Sequence, residues 1–283
     1  MAQPTLFPES GFRRLRIDIA YDGTAFFGWA AQPDKRTIQD LVEDAIARIS
    51  RSDVESVVAG RTDAGVHATG QVIHVDLPDA LFSEGLSYID LRYKLNRILD
   101  EDVRIMQISD APDGFHARFS ALRRIYIYKI LDANEVIPPL SRYDVAPWYR
   151  PLDVELMNTA SALVLGHHDF AAFCKFKEGG TTIRTLEKYQ WHRDETGLLV
   201  AEVIADAFCY SMVRNLVGAV VCVADGRKDP SWMAELLANK ERVSDSLVFP
   251  ARGLSLTQVD YPSDQELLDR AKVTIGKRGD GPH

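Results

Sequence analysis

Two regular patterns of apolar and polar residues stand near the start of the chain. In residues 14–21 every second side chain is mostly apolar, which is typical of a strand that buries one face. Between residues 38 and 49 apolar side chains recur at helical spacing, which is typical of a helix with one buried face. Thr37 precedes this second pattern and is predicted to cap the helix, with Asp40 in its first turn.

The same patterns continue along the chain and predict a mixed fold. Further strands are expected at residues 56–59, 72–75, 103–109, 123–131, 186–193, 198–205 and 254–261, and further helices at residues 90–99, 152–165, 211–224 and 230–238. Because strands and helices alternate in both parts of the chain, the sequence predicts an α+β fold with two similar halves.

A turn-rich break, Asp-Ala-Pro-Asp-Gly at residues 110–114, is predicted to separate these halves. The N-terminal half would occupy residues 12–110, and the C-terminal half would occupy residues 115–262. Residues 263–283 form a charged stretch that ends in Gly-rich sequence, and they are predicted to be a flexible tail.

The composition is that of a globular protein, with 46% hydrophobic and 26% charged residues in 283. The chain does not open with a secretory signal, and its longest apolar run, residues 216–224, is far shorter than the roughly 20 residues that cross a bilayer. Cys174, Cys209 and Cys222 are an odd number without Cys-x-x-Cys spacing. They are expected to be buried free thiols of a cytoplasmic protein.

The net charge of −8 does not by itself favour a nucleic-acid partner. Phosphate binding requires a local basic surface rather than a basic total, however. Basic residues cluster at positions 13–16, 118–124 and 175–184. The charge therefore neither supports nor excludes an RNA partner.

The loop between the strands predicted at 56–59 and 72–75 is the strongest candidate for chemistry. It reads Gly-Arg-Thr-Asp-Ala-Gly-Val-His-Ala-Thr-Gly-Gln-Val from residue 60. Asp63 in such a loop is either a turn residue that bonds its own backbone or an exposed nucleophile. Arg61 favours the second role, because a guanidinium stabilises the ionised carboxylate. The glycines permit backbone conformations that leave the carboxylate uncovered.

Histidines do not form a convincing metal site in this sequence. His67 and His74 flank the loop without a third ligand nearby. His167 and His168 follow a predicted helix, and we assign them to its end and the next loop. No metal ion is therefore expected.

Aromatic and basic residues are interleaved in two places. Residues 115–120 read Phe-His-Ala-Arg-Phe-Ser, which suits base stacking and phosphate contact or ordinary packing. Tyr126 and Tyr128 share one face of the predicted strand 123–131, where a ring could stack on an extruded base or lie in the core.

Arg214 is unusual because it lies in a helix that is apolar almost all round. A buried guanidinium is costly unless it is paired. The sequence therefore predicts a carboxylate or phosphate partner for Arg214, with Asp63 as one candidate and another acid in a structural ion pair as the alternative.

Taken together, these motifs resemble the TruA family of tRNA pseudouridine synthases. The resemblance runs in order along nearly the whole chain, and its most specific part is Gly-Arg-Thr-Asp-Ala-Gly-Val-His at residues 60–67. The weaker matches are Tyr21 to Gly23, Gly28-Trp29, Phe115 to Ser120, Arg124, Tyr126, Asp169-Phe170, Phe173, Met212 to Gly218, Gly253-Leu254 and Tyr261-Pro262.

The resemblance implies a pseudouridine synthase fold, in which two similar halves with antiparallel or mixed sheets meet at a central basic cleft flanked by helices. It implies a homodimer that binds the anticodon stem-loop of tRNA and isomerises uridine to pseudouridine at positions 38, 39 and 40. It implies neither a metal nor an organic cofactor.

The resemblance also assigns roles to individual residues. Asp63 would attack the uracil ring or the ribose anomeric carbon, and Tyr126 would stack on the uracil and assist removal of its C5 proton. Arg61 and Arg214 would orient Asp63 and contact the RNA, and Leu254 would line the base pocket. Further RNA contacts would come from Phe115, His116, Ala117, Arg118, Phe119, Lys175 and Lys177.

Two other classes compete with this reading. A metal-free N-glycosidase could use Asp63 as its nucleophile and release free base, whereas an isomerase retains the base. A non-catalytic RNA-binding module could carry Asp63 as a structural turn residue.

Overall fold

The computed structural model describes residues 5–175, 180–240 and 248–279. Ten strands and seven helices follow one another in these residues. In chain order they are β1 (Phe12–Tyr21), α1 (Ile38–Ser50), β2 (Val57–Val58), β3 (His67–Pro78), α2 (Asp79–Ser83), α3 (Tyr88–Ile98), β4 (Val103–Asp110), β5 (Arg123–Leu131), β6 (Ala146–Pro147), α4 (Val154–Ala162), β7 (Gly166–Asp169), β8 (Ile183–Arg193), β9 (Leu199–Ala205), α5 (Met212–Ala224), α6 (Trp232–Asn239), β10 (Leu254–Asp260) and α7 (Asp264–Gly279).

The chain divides into two compact units. The N-terminal unit contains residues 5–64, 68–122 and 258–279, and the C-terminal unit contains residues 65–67 and 123–257 among those described. Each unit has an antiparallel sheet and its own helices, so the predicted α+β class is confirmed.

In the N-terminal unit, β1 is the middle strand of an antiparallel sheet ordered β4-β1-β3. The short strand β2 pairs with β3. Helix α1 begins as predicted, because the Thr37 side chain accepts a hydrogen bond from the Asp40 amide. Its apolar stripe is buried, and this burial fixes the face that the helix presents to the core.

In the C-terminal unit, strands β5, β9, β8 and β7 form an antiparallel sheet in that order. Strand β6 adds to β5 in parallel. Helix α5 is buried along almost its whole length, which explains why its sequence is apolar on all sides. Strand β10 begins in this unit, where the Thr257 hydroxyl donates to the Ile125 carbonyl over 3.1 Å.

The boundary between the units differs from the predicted break at residues 110–114. Residues 115–120 belong to the N-terminal unit, and the chain passes to the C-terminal unit after Leu122. The reason is a set of hydrogen bonds to this segment: Arg14 donates to the Phe115 carbonyl (3.1 Å) and Tyr261 donates to the Ala117 carbonyl (2.7 Å). The turn-rich sequence bends the chain without separating the units.

Residues Asp264–Gly279 form helix α7 rather than the predicted flexible tail. Leu267 is buried, and Leu268 lies so close to Gly114 that a Cβ there would be 2.8 Å from its Cδ1. These two apolar residues attach the helix to the N-terminal unit. Residues 280–283 lie outside the described part of the chain.

Two further local predictions are corrected. His167 and His168 lie in strand β7, which pairs with β8, rather than at a helix end. Gly166 has φ of +107°, which lets the chain turn directly from helix α4 into this strand. Cys174 and Cys209 form a disulfide rather than two free thiols. Cys222 is buried and free, as predicted.

Candidate active site

The loop that carries Asp63 connects β2 to β3. Buried hydrogen bonds hold this loop in place. The Thr62 hydroxyl lies 2.7 Å from the Tyr21 hydroxyl. The Gln71 side-chain amide donates to the Tyr21 hydroxyl (3.2 Å) and to the Gly60 carbonyl (2.8 Å). Burial raises the pKa of Tyr21 to about 12, so its hydroxyl stays protonated at neutral pH. This buried network fixes the part of the loop that directly precedes Asp63.

Asp63 itself is half-buried, and Arg61 is exposed, while Thr62 between them is buried. The loop therefore points Thr62 into the unit and leaves the flanking carboxylate and guanidinium reachable by solvent. A reachable carboxylate on a fixed backbone is what a nucleophile requires.

A second contact holds the loop, and sequence reasoning missed its importance. The Trp29 amide donates to the Thr62 carbonyl over 3.0 Å. Gly28 has φ of +94°, and a Cβ at this position would lie 2.8 Å from the Thr62 oxygen and 3.2 Å from the Asp63 carbonyl carbon. Only glycine permits this approach between the two backbones. A glycine directly before tryptophan was the available signal, but it gives no hint of which segment it touches.

Past Asp63 the loop joins the C-terminal unit. His67 Nε2 donates to the carbonyls of Tyr143 (2.8 Å) and Arg252 (3.2 Å). His67 therefore has a structural role. Within the described residues, three or more histidine, cysteine or acidic side chains do not come together in a way that could hold a metal ion.

Tyr126 lies on the face of β5 that also carries Arg124 and Tyr128. It is buried and packs edge-on against Phe208, with the ring centroids 5.0 Å apart and an interplanar angle of 85°. Arg124 beside it donates to the Asp206 carbonyl over 2.7 Å. The ring is thus held in one orientation by its neighbours.

Arg214 lies in the first turn of α5 and is only half-buried, not enclosed as the sequence predicted. Its Nε donates to the Phe249 carbonyl (2.8 Å), and the Phe249 amide donates back to the Arg214 carbonyl (3.1 Å). These bonds give the Arg214 side chain a backbone carbonyl as a partner, whereas the sequence predicted a carboxylate or a phosphate.

The segment after Phe249 continues against β5. The Tyr128 hydroxyl donates to the Pro250 carbonyl over 2.5 Å, and its ring packs on Phe249. A Cβ at Gly253 would lie 2.7 Å from the Lys129 carbonyl and from the Tyr128 ring, so this position also requires glycine. Leu254 follows and is buried.

We expect Arg214→Ala to reduce activity at least tenfold and to lower the free energy of unfolding by about 1–3 kcal/mol, because the Phe249 carbonyl loses its donor. Denaturant unfolding and turnover measurements test both effects. Arg92→Ala is the matched control: Arg92 is exposed on α3 and, like Arg214, donates to a backbone carbonyl, that of Met106 over 3.1 Å, so its loss costs at most about 1 kcal/mol. Wild-type rate and stability in Arg214→Ala would show that the bond from Arg214 to the Phe249 carbonyl supports neither the fold nor the reaction.

The residues predicted to contact RNA differ in exposure. Phe115, His116 and Ala117 are buried, Phe119 is half-buried, and Arg118 is exposed. Within this segment, Arg118 and the half-buried Phe119 are therefore the residues that RNA could reach. In the C-terminal unit Lys175 is exposed, whereas Lys177 lies outside the described residues.

Two histidines hold this segment in place. His74 Nδ1 accepts from the Ala117 amide (3.0 Å), and His116 Nδ1 accepts from the Arg118 (3.3 Å) and Phe119 (3.2 Å) amides. The two rings pack edge to face, with centroids 4.8 Å apart. Burial, with the nearby Arg14 and His116, holds the pKa of His74 well below 6.5. A protonated ring could not accept the Ala117 amide.

We expect the stability of the protein to fall as the pH drops below about 6.5, because His74 binds a proton in the unfolded chain but not in the folded one. Above that pH the contribution is fully present. The loss amounts to at most about 1.4 kcal/mol per pH unit for one proton. Urea unfolding at pH 7 and pH 5 measures it. His74→Gln should flatten the dependence, while His192→Gln, at an exposed histidine, should not; equal slopes in all three proteins would contradict the assignment.

Comparison with known proteins shows the family to which this chain belongs. The family model for tRNA pseudouridine synthase matches residues 18–120 and 160–262, one segment in each half of the chain. The chain belongs to the tRNA pseudouridine synthase family, and its class is that of isomerases.

Individual relatives agree with this placement. The chain is 52% identical to the tRNA pseudouridine synthase A of Frankia casuarinae over 95% of its own length and 96% of the relative's. It is 52% identical to the enzyme of the same name in Streptomyces griseus, over 93% of each chain. It is 48% identical to that of Cutibacterium acnes, over 94% and 95% respectively.

Proposed function

We propose that this protein isomerises uridine to pseudouridine at positions 38, 39 and 40 of the tRNA anticodon stem-loop, with Asp63 as the nucleophile. The observation that carries the proposal is the fixed, solvent-reachable Asp63 loop inside a segment that matches the family model. The half-buried carboxylate and the rigid backbone beneath it suit attack on one defined carbon.

The reaction exchanges one bond for another within the nucleotide. The bond from ribose C1′ to uracil N1 breaks, a bond from C1′ to C5 forms, and the C5 proton is lost while N1 gains one. Asp63 assists by attacking either the ring or C1′, and it leaves unchanged. The step is redox-neutral and transfers no phosphoryl group, and we propose that it uses neither a metal nor an organic cofactor.

The target base must leave its stack before either carbon can be reached. Tyr126 would stack on the extruded uracil, and its locked orientation suits this role because little ring freedom remains to be lost. Arg61 and Arg214 would orient Asp63 and contact RNA. Leu254 would line the base pocket.

Arg118 and Lys175 would bind the RNA backbone, with Lys177 and the segment Phe115–Phe119 supporting them. Their exposed cations provide local positive charge despite the net charge of −8. We further propose that the active form is a homodimer and that it acts in the cytoplasm. Within the described residues, the structure contains no helix long and apolar enough to cross a membrane.

Nucleoside analysis tests the proposal directly. Unmodified tRNA transcripts are incubated with the protein, digested and analysed for pseudouridine by chromatography, and carbodiimide-dependent primer-extension stops locate it. We expect pseudouridine at positions 38–40 and none in transcripts with cytidine there. Release of free uracil would instead favour an N-glycosidase, and binding without any product would favour a binding module.

A further inference from the structure

The disulfide between Cys174 and Cys209 joins two segments of the C-terminal unit that are 35 residues apart in sequence. Their Cα atoms lie 5.8 Å apart, which is an ordinary separation for linked cysteines. Cys174 follows the single turn at residues 171–173, and Cys209 lies just before α5. The third cysteine, Cys222, is buried and free.

Non-covalent contacts lie directly beside the disulfide. The Lys175 amide donates to the Tyr210 carbonyl over 2.9 Å, and the Lys175 ammonium lies 5.4 Å from the centroid of the Tyr210 ring. The Asn215 amide donates to the Phe173 carbonyl over 2.8 Å. The disulfide is thus the covalent member of a set of contacts that hold residues 173–175 against the start of α5.

Both linked segments carry side chains suited to nucleic acid. Lys175 and Tyr210 are exposed, and they present a cation beside an aromatic ring. Such a pair can contact a phosphate and a base. Arg214 lies one turn further along α5. The position of all three depends on how the two segments are held together.

We propose that the Cys174–Cys209 disulfide is a redox-controlled positioning link for RNA binding. When it is closed, Lys175 and the first turn of α5 are held in the arrangement that binds tRNA. When it is reduced, the backbone and ring contacts alone hold them, and binding requires the segments to be ordered again. The inference rests on the proposed function, because tRNA is the partner that the link serves.

The redox step is a thiol–disulfide exchange. Closing the link removes two protons and two electrons from the two thiols, and a small disulfide such as glutathione disulfide accepts them and becomes two thiols. Cys209 is half-buried, whereas Cys174 is 3% exposed. When the link closes, the Cys209 thiolate therefore attacks the small disulfide first, and Cys174 then displaces the second small thiol. When it opens, a small thiol attacks the Cys209 sulfur and releases Cys174, and a second thiol reduces the mixed disulfide.

Thiol mapping and tRNA binding on the full chain test the inference. The protein is treated with glutathione disulfide or with a phosphine reductant, free thiols are alkylated, and the linked peptides are identified by mass spectrometry. We expect the oxidised protein to contain the 174–209 link and one alkylated thiol at Cys222. Reduction should weaken tRNA binding by about three- to tenfold, the cost of ordering one or two side chains, and should change kcat by less than twofold.

Variants separate positioning from general stability. Cys209→Ser and Cys174→Ala should bind tRNA like the reduced protein in both conditions, and Cys222→Ser should keep the full redox response. In Cys209→Ser, a further Lys175→Ala change should cost less binding than it does in the oxidised wild type. Thermal melting identifies a variant that has lost its fold.

Several results would overturn the inference. Three alkylated thiols after oxidation would show that the link does not form. A closed link with equal tRNA affinity in both states would show that it positions nothing. Absence of tRNA binding in both states would overturn the proposed function and the positioning role together, whereas the thiol map would still report whether the link exists.

Discussion

Asp63→Asn is expected to reduce pseudouridine formation by at least about 10⁴-fold, as removal of a catalytic nucleophile does elsewhere. The amide has the shape of the carboxylate but cannot form and release a covalent bond to carbon. Because the anchors of the loop are Thr62, Gln71 and Trp29, the fold should be unaffected. The affinity for tRNA should stay within a few fold of wild type.

Single-turnover assays and equilibrium binding measure the two quantities separately. Asp53→Asn is the matched control, since Asp53 is an exposed acid that precedes β2 and makes the same change in charge. It should turn over at the wild-type rate. An Asp63→Asn protein with more than a small fraction of the wild-type rate would refute the nucleophile assignment.

Gly28→Ala is expected to have the second-largest effect, although Gly28 carries no chemistry. A Cβ at this position would meet the Thr62 oxygen at 2.8 Å and the Ala64 nitrogen at 3.1 Å, and both are backbone atoms that cannot rotate away. The backbone at φ of +94° is itself strained for alanine. The loop must therefore move, and Asp63 with it.

A displacement of about 1 Å at a reacting group can cost roughly 100-fold in rate, so we expect kcat to fall by about 10- to 100-fold in Gly28→Ala. Stability should fall by about 2–4 kcal/mol from strain and overpacking together. Turnover and denaturant unfolding measure these losses.

Gly85→Ala separates the effect of backbone strain from the effect of contact with the Asp63 loop. Gly85 has φ of +102°, but a Cβ there would have no neighbour within 4 Å. It should lose about 1–2 kcal/mol from backbone strain and keep the wild-type kcat. If Gly28→Ala and Gly85→Ala behaved alike in turnover, the contact between Gly28 and the Asp63 loop would be irrelevant to catalysis.

Sequence patterns predicted the parts of the fold that are determined locally. Helix α1 and its Thr37 cap were predictable because the cap and the apolar stripe are contiguous in sequence. The Asp63 loop was predictable because its charged residues and glycines lie within one short segment. Pairing between distant segments was not predictable. Strand β7 forms because residues 166–169 pair with β8, and the sequence of neither segment indicates this pairing.

The same distinction explains the errors around the candidate site. The sequence Phe-His-Ala-Arg-Phe did not show which of its side chains are exposed. His74, more than 40 residues away, accepts the Ala117 amide, and residues 115–117 are buried while Arg118 is exposed. The disulfide was missed because spacing alone does not show that Cys174 and Cys209 are neighbours. The role of Gly28 depends on contact with a loop more than 30 residues later.

Release of tritium from C5 of uridine shows directly whether Asp63 isomerises the base. Purified protein is incubated with unmodified tRNA that carries tritium at this carbon, beside Asp63→Asn, and free uracil is measured in the same samples. We expect tritium release by the wild type, none by Asp63→Asn, and no free uracil. Bound tRNA without tritium release from the wild type would contradict the claim that Asp63 isomerises uridine.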